Sequence, residues 1–274
     1  MRIVPLTLVI LLTIAVATAY PQVVRSQSSY PELSSNLSDY QHGSEKSGFL
    51  YMDKQTQAME TDDFSNPGFL WIEKAQKLWS TPDGSSGKSC ESCHGAVSSM
   101  KGVGAKYPLY DAKMHKVIDL EQRINDERVS RMGAQPYKWE SEDLVAMTAL
   151  IKLQSRGMPV AVDTSGPAHS FWEDGEKIYT TRRGQLNMAC AECHVQFADH
   201  QLRSDTLSQG QTNGFPLYRL KWQALGSVQK RFKGCMAKIR AKPFPFGSQE
   251  MVDLELYVAS RGEGLPIETP AVRK

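Results

Sequence analysis

The chain opens on a run that is apolar almost without a break from Ile3 to Val16, behind one early cation, Arg2, and ahead of the small triplet Ala17-Thr18-Ala19. The run is shorter than the roughly 20 residues a membrane-spanning helix needs. With its small-x-small site before Tyr20, it predicts a cleaved signal peptide over residues 1–19. Residues 20–48 lose apolar periodicity and are rich in serine (Ser26, Ser28, Ser29, Ser34, Ser35), which predicts an extended or partly disordered lead-in. Helical spacing then appears twice. Leu70, Trp71, Ala75, Leu78 and Trp79 outline one helix, and Phe171, Trp172, Gly175, Ile178 and Tyr179 outline a second one about 100 residues on.

The echo extends further. Gly84 matches Gly184, and Tyr107-Pro108-Leu109-Tyr110 matches Phe215-Pro216-Leu217-Tyr218 at a separation of 108, as Arg123-Ile124 matches Arg231-Phe232. The change in separation from 100 to 108 places an insertion at about Gln201 to Thr212, read as a loop. Ser141 and Ser248 each precede early acidic residues and an apolar stretch, the signature of a capped helix start. Both stretches end at Gly-x-Pro turns, Gly157-Met158-Pro159 and Gly264-Leu265-Pro266. Two copies make a duplication and not a solenoid. The reading is a mainly α protein with two tandem domains, 49–161 and 162–274, behind the leader and lead-in.

Length permits one or two domains with cores of their own. The formal charge of +2 is too small to indicate nucleic acid, and nothing after the leader reaches spanning length. The expectation is an exported, periplasmic protein with no membrane span in its mature part. Cations do gather around residues 221–242, at Lys221, Lys230, Arg231, Lys233, Lys238, Arg240 and Lys242.

Four of the five cysteines fall in two Cys-x-x-Cys-His pentads, Cys90 to His94 and Cys190 to His194. Two thiols at this spacing can add to the two vinyl groups of one porphyrin, and the adjacent imidazole then reaches the iron. The pentads therefore predict two covalently bound haem c groups, attached at Cys90, Cys93, Cys190 and Cys193, with His94 and His194 as axial ligands. Rival chemistries for Cys-x-x-Cys are a zinc site, which needs four closed ligands, a redox dithiol, or plain disulfides. A histidine in the fifth place of both copies favours haem. Helix, pentad, loop, short helices and closing helix is the plan of a small cytochrome c domain, and aromatics such as Trp71, Trp79, Phe171, Trp172, Tyr179 and Tyr257 read as its haem-contacting core.

Cys235 is left over, an odd thiol in a chain marked for export. It follows the second pentad at the distance where cytochromes of one domain supply their distal ligand. Arg231 and Lys233 favour its thiolate, and Gly234 permits close approach. An inert buried cysteine and an intermolecular disulfide are the plainer alternatives.

Together, Arg231 to Cys235 (Arg-x-x-Gly-Cys), Gly214 to Arg219 and Ser155 to Pro159 make the chain resemble the SoxA family, dihaem cytochrome subunits of the SoxAX complex of bacterial thiosulfate oxidation. The resemblance covers nearly all of the mature chain. It implies that Cys235 is the distal ligand of the second haem, carried as a persulfide, and that Arg231 helps to bind the substrate anion. It also implies a reaction: oxidative coupling of thiosulfate to a cysteine of the carrier protein SoxYZ, with a SoxX-type cytochrome c as heterodimer partner and two electrons leaving through haem. Other activities compatible with these residues are a thiosulfate dehydrogenase forming tetrathionate and a pure electron carrier.

One departure stands out. Members of the family commonly carry a second ligand cysteine at the point of the first half that matches Cys235, and this chain has Glu127 there. A carboxylate is a poor stand-in for thiolate at haem iron. Met132 and His115 are the replacements expected as distal ligand of the first haem, with Met114 and Met100 as lesser candidates and a five-coordinate iron behind them. His42, His169 and His200 lie in no motif.

Overall fold

In the computed structural model, which describes residues 30–274, each half is built on one helix that is buried along most of its length. Ser141 accepts the Leu144 amide at 3.3 Å and opens helix α5 (Glu142–Leu153). The preceding helices are α1 (Lys54–Thr61), α2 (Phe69–Ser80), α3 (Cys90–His94) and α4 (Leu120–Glu127). Leu144, Val145, Met147, Leu150 and Leu153 of α5 are buried, so the helix is apolar on more than one face and must be covered from more than one side. Its main partner is α2, which presents Ile72, Ala75 and Trp79 at i, i+3, i+7 spacing.

The second half repeats this with α6 (His169–Thr180), α7 (Val228–Lys238) and α8 (Gln249–Ser260). Gly175 stands where α2 has Ala75: a Cβ there would lie 2.1 Å from the Asp253 carbonyl oxygen, so α6 and α8 approach more closely than α2 and α5 can. Ser248 sits at the N-cap of α8 with extended backbone, yet its hydroxyl accepts no helix amide, unlike that of Ser141.

Short strands fill the connections. The hairpins are β1 (Gln41–His42) with β2 (Glu45–Lys46), β3 (Leu109–Asp111) with β4 (Lys116–Ile118), β5 (Gln201–Leu202) with β6 (Asp205–Thr206), and β7 (Leu217–Arg219) with β8 (Ala224–Gly226). β9 (Ala271–Arg273) adds to β7 in parallel. The β3–β4 and β7–β8 hairpins keep the same register in the two halves, Asp111 opposite Lys116 and Arg219 opposite Ala224. The two Gly-x-Pro turns, with Gly157 and Gly264 both at φ +79°, pair with each other. The Gly157 amide donates to the Ile267 carbonyl and Val160 to Leu265, both at 2.9 Å, which joins the halves through main chain.

Residues 30–48 are structured: Tyr30 and Pro31 lie against Phe69, Gln76 and Arg156 of the first half, and residues 44–47 lie against the second. The Lys46 amide donates to Gln209 Oε1 at 2.6 Å, and buried Ser47 bonds Glu268. α1 follows the same course. Buried Glu60 receives the Val272 amide at 2.9 Å and pairs with Arg273, and Asn66 Nδ2 donates to the Pro270 carbonyl at 2.8 Å. The start of the first half thus closes over β9 at the other end of the chain. The predicted signal peptide lies outside the described residues, and among those described no helix is long and apolar enough to cross a membrane.

Between the halves lies a buried ionisable group of Asp119, Glu121 and Glu255 around Lys152. Burial pushes Asp119 up to about 7 and Glu255 up to about 8, and Glu121 well above the usual carboxylate range, its two acidic neighbours adding to the effect. Burial lowers Lys152. A carboxyl whose folded pKa is raised contributes its stability while protonated and loses it as pH climbs through the raised value. Glu121→Gln, a mimic of the protonated form, should leave the thermal midpoint unchanged at pH 5 and raise it by about 3 °C at pH 8.5, for roughly 1 kcal/mol. Thermal unfolding of the holoprotein at the two pH values checks this.

Candidate haem and sulfur site

The second pentad follows α6 through a tight loop. Gly184, at φ +71°, packs on the Ile239 carbonyl, with its ideal Cβ 2.3 Å from that oxygen, so the loop is seated against the end of α7. Cys190 lies among Tyr179, Met236, Leu254 and Phe232, an apolar wall of the kind a porphyrin edge needs. The Ala189 amide donates to Glu192 at 3.1 Å and starts the turn that carries Cys193 and His194.

His194 is oriented from behind. Its Nδ1 bonds the Ser208 carbonyl at 2.8 Å, which leaves Nε2 for a metal or a thiol. Gly210, at φ +79°, lies so close that a Cβ would be 2.9 Å from His194 Cγ and Nδ1. The loop at residues 201–212, read from sequence as an insertion, is therefore the cradle of the imidazole.

Facing His194 is the thiol of Cys235, hydrogen-bonded to it and carried by α7. Burial pushes this thiol up, but the His194 bond and the charges of Arg231 and Lys238 outweigh it and bring it down to about 7. Cys190 goes the other way, up to about 11, by burial and then by the nearby Cys235 charge. Of the three sulfurs, Cys235 is thus the one shifted toward its thiolate, while Cys190 and Cys193 are both shifted away from it. Arg231 and Lys238 lie four residues before and three after it, on one helical face. Lys233 lies off that face, with its Nζ 3.9 Å over the Phe246 ring, and is not among the chief charges acting on the sulfur. Gly234 is exposed, and a Cβ there would meet nothing within 4 Å. No protein contact demands glycine at this point.

Arg219, at the end of β7, completes the site; in the sequence it stands out only as the last residue of the Gly214–Arg219 run, with nothing to give it a role at the sulfur. Burial and the Arg231 charge both lower it, and the Cys235 charge opposes them, which places three cations, Arg219, Arg231 and Lys238, about one sulfur. The signal is present in the repeat, because the separation of 108 sets Arg219 against Asp111. In the first half Arg123, counterpart of Arg231, spends its charge on that Asp111.

The first pentad forms α3, opened by Ser89 and Ser92, which exchange side-chain and main-chain bonds at 3.0 and 3.1 Å. Cys90 lies against the first core with Val97, Met100 and Tyr137. Trp79 donates to the Gly95 carbonyl at 3.0 Å, its ring 5.9 Å from that of the exposed His94. Met132 is buried at the end of a π-helical turn (Arg128–Met132) that prolongs α4. His115, at φ +52°, and Met114 are exposed in the β3–β4 turn. The two cysteine pairs stay apart and all five thiols are unpaired. Among the described residues no three His, Cys, Asp or Glu side chains converge as a cage, so a pooled zinc site is not built. Paired cysteines one turn from an oriented histidine, backed by an apolar wall, fit covalent haem c.

This arrangement defines a c-type cytochrome with a sulfur opposite one of its histidines. A profile described as the cytochrome c domain of SoxA/TsdA matches residues 74–160 and 174–267, one stretch in each half. The chain is 52% identical over 229 residues to the L-cysteine S-thiosulfotransferase subunit SoxA of Rhodovulum sulfidophilum, covering 83% of this chain and 80% of that protein. It is 48% identical to the protein of the same description from Pseudaminobacter salicylatoxidans, over 83% and 80%. The crystal structure of SoxXA from P. pantotrophus superposes with a TM-score of 0.82 at 43% identity, over 84% of this chain and 87% of that one. The chain belongs to the SoxA/TsdA cytochrome c family and stands with its SoxA members.

Gly210→Ala should cost about 2 kcal/mol in stability and weaken haem attachment at the second pentad, because the new Cβ meets the His194 ring at a positive φ. Gly87→Ala, also at positive φ but facing open space, should cost only about 1 kcal/mol. Thermal unfolding, with haem content per chain, separates the two.

Proposed function

We propose that this chain is the SoxA-type subunit of a periplasmic L-cysteine S-thiosulfotransferase, exported by a cleaved signal peptide, that joins thiosulfate to a cysteine of the carrier protein SoxYZ. It carries two covalently bound haem c groups, at Cys90/Cys93 and Cys190/Cys193, with His94 and His194 as iron ligands, and pairs with a SoxX-type cytochrome c. The observation that carries this reading is one cysteine, Cys235, set between an imidazole and three cations that shift its thiol toward the anion, with open space at Gly234.

Thiosulfate is a small dianion, and the planar donor forks of Arg231 and Arg219 suit its oxygens. Their charge shifts Cys235 toward its anion and draws the substrate to it. A thiolate or persulfide at Cys235 is the polarisable sulfur that bonds the sulfane sulfur of thiosulfate as two electrons leave; the carrier thiol then attacks that sulfane sulfur, the bond to Cys235 breaks, and the whole thiosulfate group passes to the carrier. Overall one S–S bond forms between carrier and thiosulfate, the carrier thiol loses its proton, and two electrons are released. Bound haem supplies the route by which those electrons leave toward a cytochrome c. The family description covers TsdA as well as SoxA, so formation of tetrathionate is the second reading; the curated relatives named above favour the first.

Cys235→Ala should abolish thiosulfate-dependent electron release while both haems remain attached; turnover that survives it removes Cys235 from catalysis. Arg231→Ala and Arg219→Ala should each raise KM for thiosulfate about 10- to 100-fold with a smaller loss in kcat, as expected for a charge-assisted anion contact. Product analysis with and without the carrier separates the coupled cysteine from tetrathionate.

A further inference from the structure

The two halves can be aligned by their hydrogen bonds, and the alignment decides what lies over the first haem. Both distal helices start from an equivalent cap: Asp119 accepts the Gln122 amide at 2.7 Å and Ser227 accepts the Lys230 amide at 3.1 Å. Counted from these caps, Glu127 and Cys235 are each the eighth residue of their helix. The helix ends also correspond. The Ser86 amide donates to the Met132 carbonyl at 3.0 Å as Leu186 donates to Ile239 at 3.3 Å, and the next residues, Gly133 and Arg240, are both left-handed at φ +63° and +56°. Met132 is therefore the counterpart of Ile239.

From cap to end the first helix holds one residue more than the second, and the π-helical turn Arg128–Met132 absorbs it. That turn begins after Glu127, so Glu127 keeps the register of Cys235. Arg128, the other residue that could claim the place, is committed elsewhere: it donates to Asp83 at 2.6 Å and to the Gln135 carbonyl, and its guanidinium lies 3.6 Å from the Tyr137 ring centre. Met132 stands where the second half has a packing isoleucine. His115 matches Gln223, a residue of similar φ in the β7–β8 turn. Glu127 itself is tied only by long ion pairs, 3.9 Å to Arg123 and 3.8 Å to Arg131.

The geometry points to Glu127, not Met132 or His115, as the residue over the distal face of the first haem. It is a weak, displaceable carboxylate position that admits a small neutral ligand such as imidazole, and this inference rests on the two-haem reading given above. A hard carboxylate, or a vacancy beside it, leaves the iron high-spin, whereas thiolate, thioether or imidazole opposite histidine makes it low-spin. The two halves of one chain would then hold irons of different spin state and different access.

Haem content of the holoprotein comes first: one haem per chain removes the two-haem reading and this inference with it. With two present, low-temperature electron paramagnetic resonance of the ferric protein should show a thiolate-type low-spin signal and a high-spin signal of equal spin count. Imidazole should convert only the high-spin signal. Glu127→Cys should replace it with a second thiolate-type signal and abolish imidazole binding, while Glu127→Gln keeps it. Met132→Leu and His115→Ala should leave the spectrum unchanged. A first haem that is already low-spin and turns high-spin in Met132→Leu or His115→Ala overturns the assignment.

Discussion

The opposition of Cys235 and His194 is the contact on which the site rests. It joins a helix to a turn that lies well before it in the chain, and each partner is immobilised by groups outside the pair. Gly210 and the Ser208 carbonyl fix the ring. On the other side, Ser227 caps α7 while bonding Glu140 of the first half, and the Ile239 carbonyl receives the loop ahead of the second pentad. The thiol is thus drawn toward its anion in a place where burial alone would keep it protonated, and the cations that oppose burial are the ones suited to a sulfur oxyanion.

The same scaffold does different work in the two halves through a few changes of charge. Asp111 against Arg219 is the most consequential. With an aspartate there, Arg123 is neutralised within its own half; with an arginine, Arg231 keeps its charge toward the sulfur. Glu127 against Cys235 is the second change, hard oxygen for soft sulfur. Anion binding and sulfur chemistry are thereby confined to the second half, while the first keeps the pentad, the tryptophan over its histidine, and the same loop-to-helix seat.

Much of this was legible in the sequence because it is local. The pentads, the α2/α6 and α5/α8 helices and the Gly-x-Pro turns are set by spacing within a few residues, and all appear where the pattern put them. What the pattern missed depends on partners far away in the chain. The docking of α1 on β9 needs Glu60 to meet Arg273, at the opposite end of the described chain. Lys233 lies two residues from Cys235 in sequence, yet helical geometry turns it to Phe246, while Lys238, one of several cations in its stretch, and Arg219, known only as the end of a motif, are the ones brought to the sulfur. Arg219 could have been found by asking where the repeat changes charge and not only where it agrees.

The most direct test of the account is the mass of the intact protein, with peptide mapping, after incubation with thiosulfate in the absence of the carrier. The account predicts a sulfur adduct at Cys235 that a subsequent addition of carrier removes. Turnover with Cys235 unmodified throughout, or an adduct located on any other residue, would contradict it.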